Sequence, residues 1–344
     1  MSTTKIIYTK GEGTLGAFGK LETPIKMIIE HESDLLTKKG GLADWLFNIE
    51  KSSRFGETII NNNEFDTFMY AKDGDPAEYD TVQETSRKFI EHIQFMKEFV
   101  ITQSMMEDSI TGVAADAKLR AQNFVRAYYK TMHSLASWAL AHGDSKTGTF
   151  NNAGVDLSTG DGEALFSQAH KYGVDGDTQS NKLCGAFMTA GAIEDYIFAA
   201  ANHLRNMKDE NGLPLGYTAD TIILPGNRPQ LEKLVKKLCG SDGVLGSADN
   251  DVNLQYGGWH VVVDPFWLAS EDEVRIMSSE ANKNLRGNML FNRVPLSVRT
   301  FIDDHTWDNC WSGRCRFGVG FGTYKHIVTL RNGASVDGYT ALTV

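Results

Sequence analysis

Residues 98–143 read EFVITQSMMEDSITGVAADAKLRAQNFVRAYYKTMHSLASWALAHG, and the architecture of the whole chain turns on them. The first residues, EFVITQ, form an extended piece, and a long helical pattern follows. From Val113 onward, Ala117, Phe124, Tyr128, Leu135 and Ala139 recur at helical spacing, with Ala121 and Met132 beside them. Lys118, Arg126 and Lys130 fall elsewhere on the wheel, so one amphipathic face is buried. At 1.5 Å per residue a helix over 113–142 measures about 45 Å, well beyond the usual three turns. Gly112 is its weak point, and Gly143 is placed as its C-terminal cap. Glu107 and Asp108 suit the positive end of the helix dipole, a structural role. No catalytic constellation lies on this helix, so it reads as a framework for assembly.

Working outward, residues 1–53 combine KGEGTLGAFGK with the short apolar pieces IKMII and LADWLF, which reads as an arm with one helix from Gly41 to Glu50. Residues 54–99 are polar and extended, with Phe65, Phe68, Tyr70 and Tyr79 set among asparagines and carboxylates. Lys72-Asp73-Gly74-Asp75 has hairpin-turn residues, so a two-stranded loop is expected. Residues 144–280 look like a compact α/β region, with helices over Phe187–Met207 and Pro229–Leu238 and strands at Thr221–Leu224 and Trp259–Val263. Beyond 281 the pattern is mostly extended, at Val294–Ile302, Arg314–Gly322 and His326–Leu330.

Composition excludes several classes. With 344 residues and 41% hydrophobic content the chain can bury a proper core. Its 34 basic and 44 acidic residues give a net charge of −10, which argues against tight nucleic-acid binding. The N-terminus lacks signal-peptide order and no apolar run approaches the roughly 20 residues that span a bilayer, so a soluble protein with no membrane partner is expected. Cys184, Cys239, Cys310 and Cys315 are too few and scattered for a disulfide framework. Charge is uneven along the chain: residues 54–99 hold 5 basic and 10 acidic residues, whereas 281–344 hold 8 and 4. A basic surface on a neighbouring copy is a plausible partner for the acidic loop.

The chemical motifs are weak. Gly11-Glu12-Gly13-Thr14-Leu15-Gly16 matches a dinucleotide fingerprint, but Gly19 and Pro24 should break the helix that the pyrophosphate needs, and a flexible arm is favoured. Gly318, Gly320 and Gly322 alternate in FGVGFGTY, so a bare strand face is expected to receive another backbone, with Phe317, Val319 and Phe321 on the opposite face. Cys310 and Cys315 lack a second cysteine pair and zinc-finger histidines. Asp303-Asp304-His305 reads as a solvated turn between strands. No G-x-S-x-G, H-E-x-x-H or Walker loop occurs. The sequence therefore assigns no catalytic, cofactor-binding or metal residue, no cofactor, and no enzymatic role.

Taken in order, Phe99-Val100-Ile101-Thr102-Gln103 with Met106-Glu107-Asp108, then Thr221-Ile222-Ile223-Leu224-Pro225 before a helix, then Trp259 to Pro265, then Arg314-Cys315-Arg316-Phe317-Gly318-Val319-Gly320, resemble the major capsid proteins of tailed bacteriophages, the family with the HK97 fold. The resemblance spans nearly the whole chain, and the order of the motifs carries it. It implies an α+β fold with an N-terminal arm (1–53), an extended β-hairpin loop (54–99), a peripheral domain with a long spine helix (100–170 and 281–344) and an axial domain (171–280). It further implies hexamers and pentamers that build an icosahedral virion shell around double-stranded DNA, assembled in the bacterial cytoplasm. Scaffolding, portal and decoration proteins would be its partners, and the packaged DNA would be held without tight specific binding. Some members begin with a scaffolding segment that is later removed. Here the arm begins almost at Met1, so scaffolding would be a separate protein or the chain already trimmed. Some members also crosslink lysine to asparagine, but Lys72 reads simply as an exposed lysine. An encapsulin-like compartment, or an α/β enzyme with its site in 171–280, are the alternative readings.

Overall fold

The computed structural model describes residues 7–9, 17–62, 67–73, 79, 84–108, 113–172, 177–188, 190–240 and 256–342. In chain order its elements begin with β1 (Ile7–Thr9), α1 (Ala17–Lys39), α2 (Leu42–Leu46), β2 (Asn48–Lys51), β3 (Gly56–Asn62), β4 (Glu84–Glu91), β5 (Ile93–Ile101), α3 (Gln103–Asp108) and α4 (Val113–Ala141). There follow β6 (Thr147–Phe150), β7 (Ala153–Asp156), β8 (His170–Tyr172), β9 (Asp177–Gln179), β10 (Lys182–Gly185), α5 (Ala190–Arg205), β11 (Thr221–Pro225) and α6 (Pro229–Gly240). The chain closes with β12 (His260–Asp264), β13 (Glu273–Met277), α7 (Ser279–Asn284), β14 (Asn288–Ile302), β15 (Asn309–Phe321), β16 (Ile327–Asn332) and β17 (Thr340–Ala341).

Two layered bodies result, each with a hydrophobic core. In the first, a five-stranded sheet in the order β1-β14-β15-β5, with β2 also on β14, packs against α4 and α1. In the second, a six-stranded sheet in the order β12-β11-β13-β16-β10-β17 is covered by α5 and α6. The second sheet is not made by residues 171–280 alone, because β16 and β17 come from the C-terminal segment. Strands β11 and β12 run parallel, with Ile222 opposite Val261, while β13 joins antiparallel.

The long helix forms where its periodicity puts it. Ala117, Ala121, Val125, Leu135, Ala136 and Ala139 are buried, and the small alanines let neighbouring elements approach closely. The extended piece before it becomes β5, whose Phe99 ring stacks on Trp311 of β15 at 5.1 Å and meets Phe124 of α4 edge-on. The sequence that decides the fold thus ties sheet to helix.

Four expectations need correction. The arm contains α1, a 23-residue helix that runs through Gly19 and Pro24. A proline inside a helix costs about 3 kcal/mol, but burying Ile25 and Ile29 against α4 gives back about 2 kcal/mol each. The side chains of Glu32 and Arg126 pair at 2.7 Å across the same helix contact, and Tyr129 Oη bonds to Ser33 and Thr37 there. The helix expected over Gly41–Glu50 stops at Leu46, since Asn48–Lys51 pairs with Met289–Asn292 as a parallel strand. Phe187 precedes α5, which begins at Ala190. Gly143 is not a left-handed cap. It is small because a Cβ there would lie 2.8 Å from the Phe166 ring, while its N–H donates to Leu140 O.

Candidate assembly interface

The segment from 54 to 99 supplies the most distinctive geometry. Strands β3 and β4 pair antiparallel, with Ile59 opposite Lys88. The tip of the expected turn at Gly74-Asp75 lies outside the described residues, as does the Gly11–Gly16 motif.

The root of this hairpin rests on β15. A Cβ added at Gly318 would meet His92 Nδ1 at 2.5 Å and Glu91 O at 3.1 Å. At Gly320 it would meet Ile90 at 2.7 Å, and at Gly322 the Arg286 carbonyl oxygen at 2.3 Å and Ile59 at 3.1 Å. The bare face inferred from the alternating glycines is therefore where β3 and β4 lie against β15. On the other face Phe317, Val319 and Phe321 fill the first core. Ile59, Ile90, Met289 and Phe291 form a small apolar cluster at the seat. Polar groups there are also engaged: Ser52 Oγ lies 2.6 Å from Glu57 and 2.7 Å from His92 Nε2. Burial, reinforced by Arg316, pushes the His92 imidazole below its ordinary value. Lys88, 4% exposed, reaches Asp156 at 2.7 Å and Ser158 at 2.8 Å, so β4 is also fastened to β7.

Between the two strands of the root lie exposed aromatic residues. Phe68, Tyr70 and Tyr79 are almost entirely exposed, Phe68 fully so, and Met69 is 71% exposed. Large apolar side chains held in solvent on an extended segment mark a protein-protein contact surface.

A second junction holds the two bodies together. Arg275 of β13 is 2% exposed, lies 3.8 Å above the Trp267 ring and 4.7 Å from Phe166, and donates to Leu140 O at 2.6 Å. That carbonyl belongs to the last turn of α4, whose negative dipole end favours a cation. Asp264 accepts from Ser137 Oγ at 2.6 Å and from the Phe266 and Trp267 N–H groups. Burial pushes its carboxyl upward, against the pull of these donors and of Arg275.

The residues weighed for chemistry have these places in the fold. Asp303 and His305 sit in the turn between β14 and β15, where the His305 N–H donates to Asp303 Oδ1 at 2.9 Å. Cys310 and Cys315, both on β15, alternate onto opposite faces of the strand and do not converge. Among the described residues no group of three His, Cys, Asp or Glu side chains is placed to hold a metal, and no helix is long and apolar enough to cross a membrane.

A cleft of about 740 Å³ opens between the hairpin root and the segment carrying Asp161, Lys171 and Tyr172. The neighbouring His170 is buried, with Nδ1 on Asp161 at 2.7 Å, Nε2 on Leu165 O at 3.2 Å and its ring stacked on Tyr324. Both ring nitrogens are occupied, so this pair braces the fold and offers no free base to a substrate. Sequence reasoning missed Arg275, Asp264 and His170. A lone arginine in the apolar strand EVRIM was the one available signal.

No protein-family model matches the sequence, and no curated protein does. Solved structures do. The capsid of an empty GTA particle aligns over 85% of this chain and 90% of that chain, at 13% identity and a TM-score of 0.51. The capsid of the cyanophage P-SCSP1u aligns over 84% and 87%, at 14% identity and 0.49. A virus-like particle from Pyrococcus furiosus aligns over 90% and 99%, at 9% identity and 0.48. At these identities the likeness bears on fold, and the first match carries it. With a long helix packed on one sheet, an antiparallel hairpin seated on that sheet and a second helix-covered sheet, the chain has an HK97-like capsid fold.

Proposed function

We propose that this chain is the major capsid protein of a tailed phage, which assembles as hexamers and pentamers into an icosahedral shell around double-stranded DNA. The observation that carries the reading is the hairpin: its root is locked to β15 while its aromatic end stands in solvent. A monomer has no use for that arrangement, whereas a neighbour in a shell would cover it. In this reading residues 1–53 are the arm, 54–99 the extended loop, 100–170 with 281–344 the peripheral domain and 171–280 the axial domain around each capsomer axis, the C-terminal segment lending β16 and β17 to the axial sheet. The role is structural rather than enzymatic. Scaffolding, portal and decoration proteins would complete the particle, and the net charge of −10 suits a lining that does not grip DNA.

Electron microscopy of the purified protein, with its scaffolding partner supplied where one is needed, tests this. Closed shells or five- and six-membered rings are expected. A homogeneous monomer or dimer under all conditions would sink the proposal, and shells filled with a protein cargo in place of DNA would move it to an encapsulin-like compartment.

A further inference from the structure

We propose that the open face of the first sheet, where Arg293, Arg299, Arg314 and Arg316 gather, binds a carboxylate-rich extended segment of a separate protein. The inference rests on the capsid reading above, in which companion proteins complete the particle, and names the surface and the chemistry by which one of them attaches. Strand alternation builds the face. Trp311, Cys315 and Phe317 of β15 turn into the first core, and Gly313 lies against Phe124 of α4, so Ser312, Arg314 and Arg316 point the other way. Arg299 lies opposite Ser312 and shares that side. Arg293 occupies the irregularity in β14 between Asn292 and Val294, and bulges of this kind re-aim a side chain. His92, seated on Gly318 of the same face, feels the charge of both Arg316 and Arg293.

These cations are unanswered. Arginines elsewhere pair with carboxylates, as Arg126 does with Glu32 and Arg286 with Glu50. Among the described residues none of the four makes an ion pair, and Arg316 Nε is sealed from solvent with no hydrogen-bond partner. Glu98 faces Ser312, and Glu57 and Glu91 lie at the hairpin root, but none of them reaches a guanidinium. On a chain of net charge −10 such a patch is a local exception, and it attracts an anionic partner. Its shape selects which one. The strip from Ser312 to Arg316 is about 17 Å long. The hairpin root on Gly318 closes one end, and the turn carrying Asp303, Asp304 and Asp308 closes the other. A DNA duplex is a stiff rod and would run onto those carboxylates, whereas about five residues of extended polypeptide fit between the two ends. Such a chain presents alternate side chains about 7 Å apart, the spacing of Arg314 and Arg316 along β15. Each carboxylate can then accept two N–H bonds from one guanidinium. Met96, opposite Arg314 and 64% exposed, adds an apolar contact that a polypeptide can cover.

The test is fluorescence anisotropy with a labelled peptide of alternating glutamate and threonine, added to the unassembled full chain and to shells. Both are expected to bind it. Arg299→Gln combined with Arg314→Gln, two exposed positions, should weaken binding about tenfold or more while the variant melts within a few degrees of wild type. A control variant carries Lys118→Gln, Lys130→Gln, Lys233→Gln and Lys237→Gln, which remove exposed charge from α4 and α6. It should change binding by less than about twofold. An equal loss in this lysine variant would reduce the face to general attraction and overturn the proposal. Tighter binding of a short DNA duplex than of the peptide would overturn it in favour of nucleic acid. Peptide bound by the unassembled chain but not by shells would also overturn it, by showing the face covered by another copy, and would leave the capsid reading standing. A chain that binds the peptide through these arginines yet never forms shells would uphold the face and sink the capsid reading.

Discussion

At the root of the hairpin, Gly318 and Gly320 on β15 and Gly322 just beyond it let β3 and β4 approach within contact distance, and Ser52 Oγ, His92 Nε2 and Lys88 Nζ find partners. At its tip, Phe68, Met69 and Tyr70 touch little of their own chain. The same segment thus serves folding at one end and, in our reading, association at the other. Substitutions at the root should change stability before assembly, and substitutions at the tip should do the reverse.

The largest effect is expected from Gly322→Val. Any Cβ there would lie 2.3 Å from the backbone oxygen of Arg286, which cannot swing aside as a side chain can. A loss of about 3 kcal/mol in urea unfolding is expected. A loss under about 1 kcal/mol would mean that the seat yields and the root is no rigid anchor.

Next comes a pH effect beside the root. His326 is fully buried, its ring packed on Gly287, and burial pushes its pKa down to about 3. In the unfolded chain the imidazole takes up its proton near pH 6.5. Between those values the unfolded state binds a proton that the native state refuses. Stability should therefore be complete above about pH 6.5 and fall as pH drops toward 3, by up to about 1.4 kcal/mol per pH unit. Urea melts at pH 7 and pH 5 on wild type and His326→Gln check this, and an equal loss in both would count against it.

Ser52→Ala should cost about 1–2 kcal/mol, because it removes the hydroxyl that links Glu57 to buried His92 and leaves a ring nitrogen without its partner. The same unfolding experiment reads it, and no change would show that the hydroxyl bond contributes nothing. Salt gives the smallest effect on the folded monomer and a readable one on assembly. If the acidic loop meets a basic surface on a neighbouring copy, raising salt should weaken association, since exposed charges are screened over about 8 Å at physiological ionic strength. Light scattering that is unchanged from low to high salt would remove the charge pairing.

What the sequence could reveal followed from local pattern. The period of 113–142 led to α4 almost to the residue, and short apolar runs bounded by Pro225 and Pro265 led to β11 and β12. The alternation of Gly318, Gly320 and Gly322 disclosed a bare face. It could not say which strands lie on it, because β3 and β4 are more than 200 residues away in the chain. Helix α1 was obscured by Gly19 and Pro24, whose local preference is outweighed by packing on α4. The Arg275–Leu140 bond likewise depends on distant segments meeting, which no periodicity encodes.

The contrast between root and tip is tested most directly by sedimentation velocity of Phe68→Ala beside wild type under assembling conditions, with a thermal melt of each monomer. Loss of a solvent-exposed ring should leave monomer stability within about 0.5 kcal/mol, while the sedimenting shell fraction falls about tenfold or more. Shells of Phe68→Ala at the wild-type yield, or a monomer destabilised as badly as the root variants, would contradict the account.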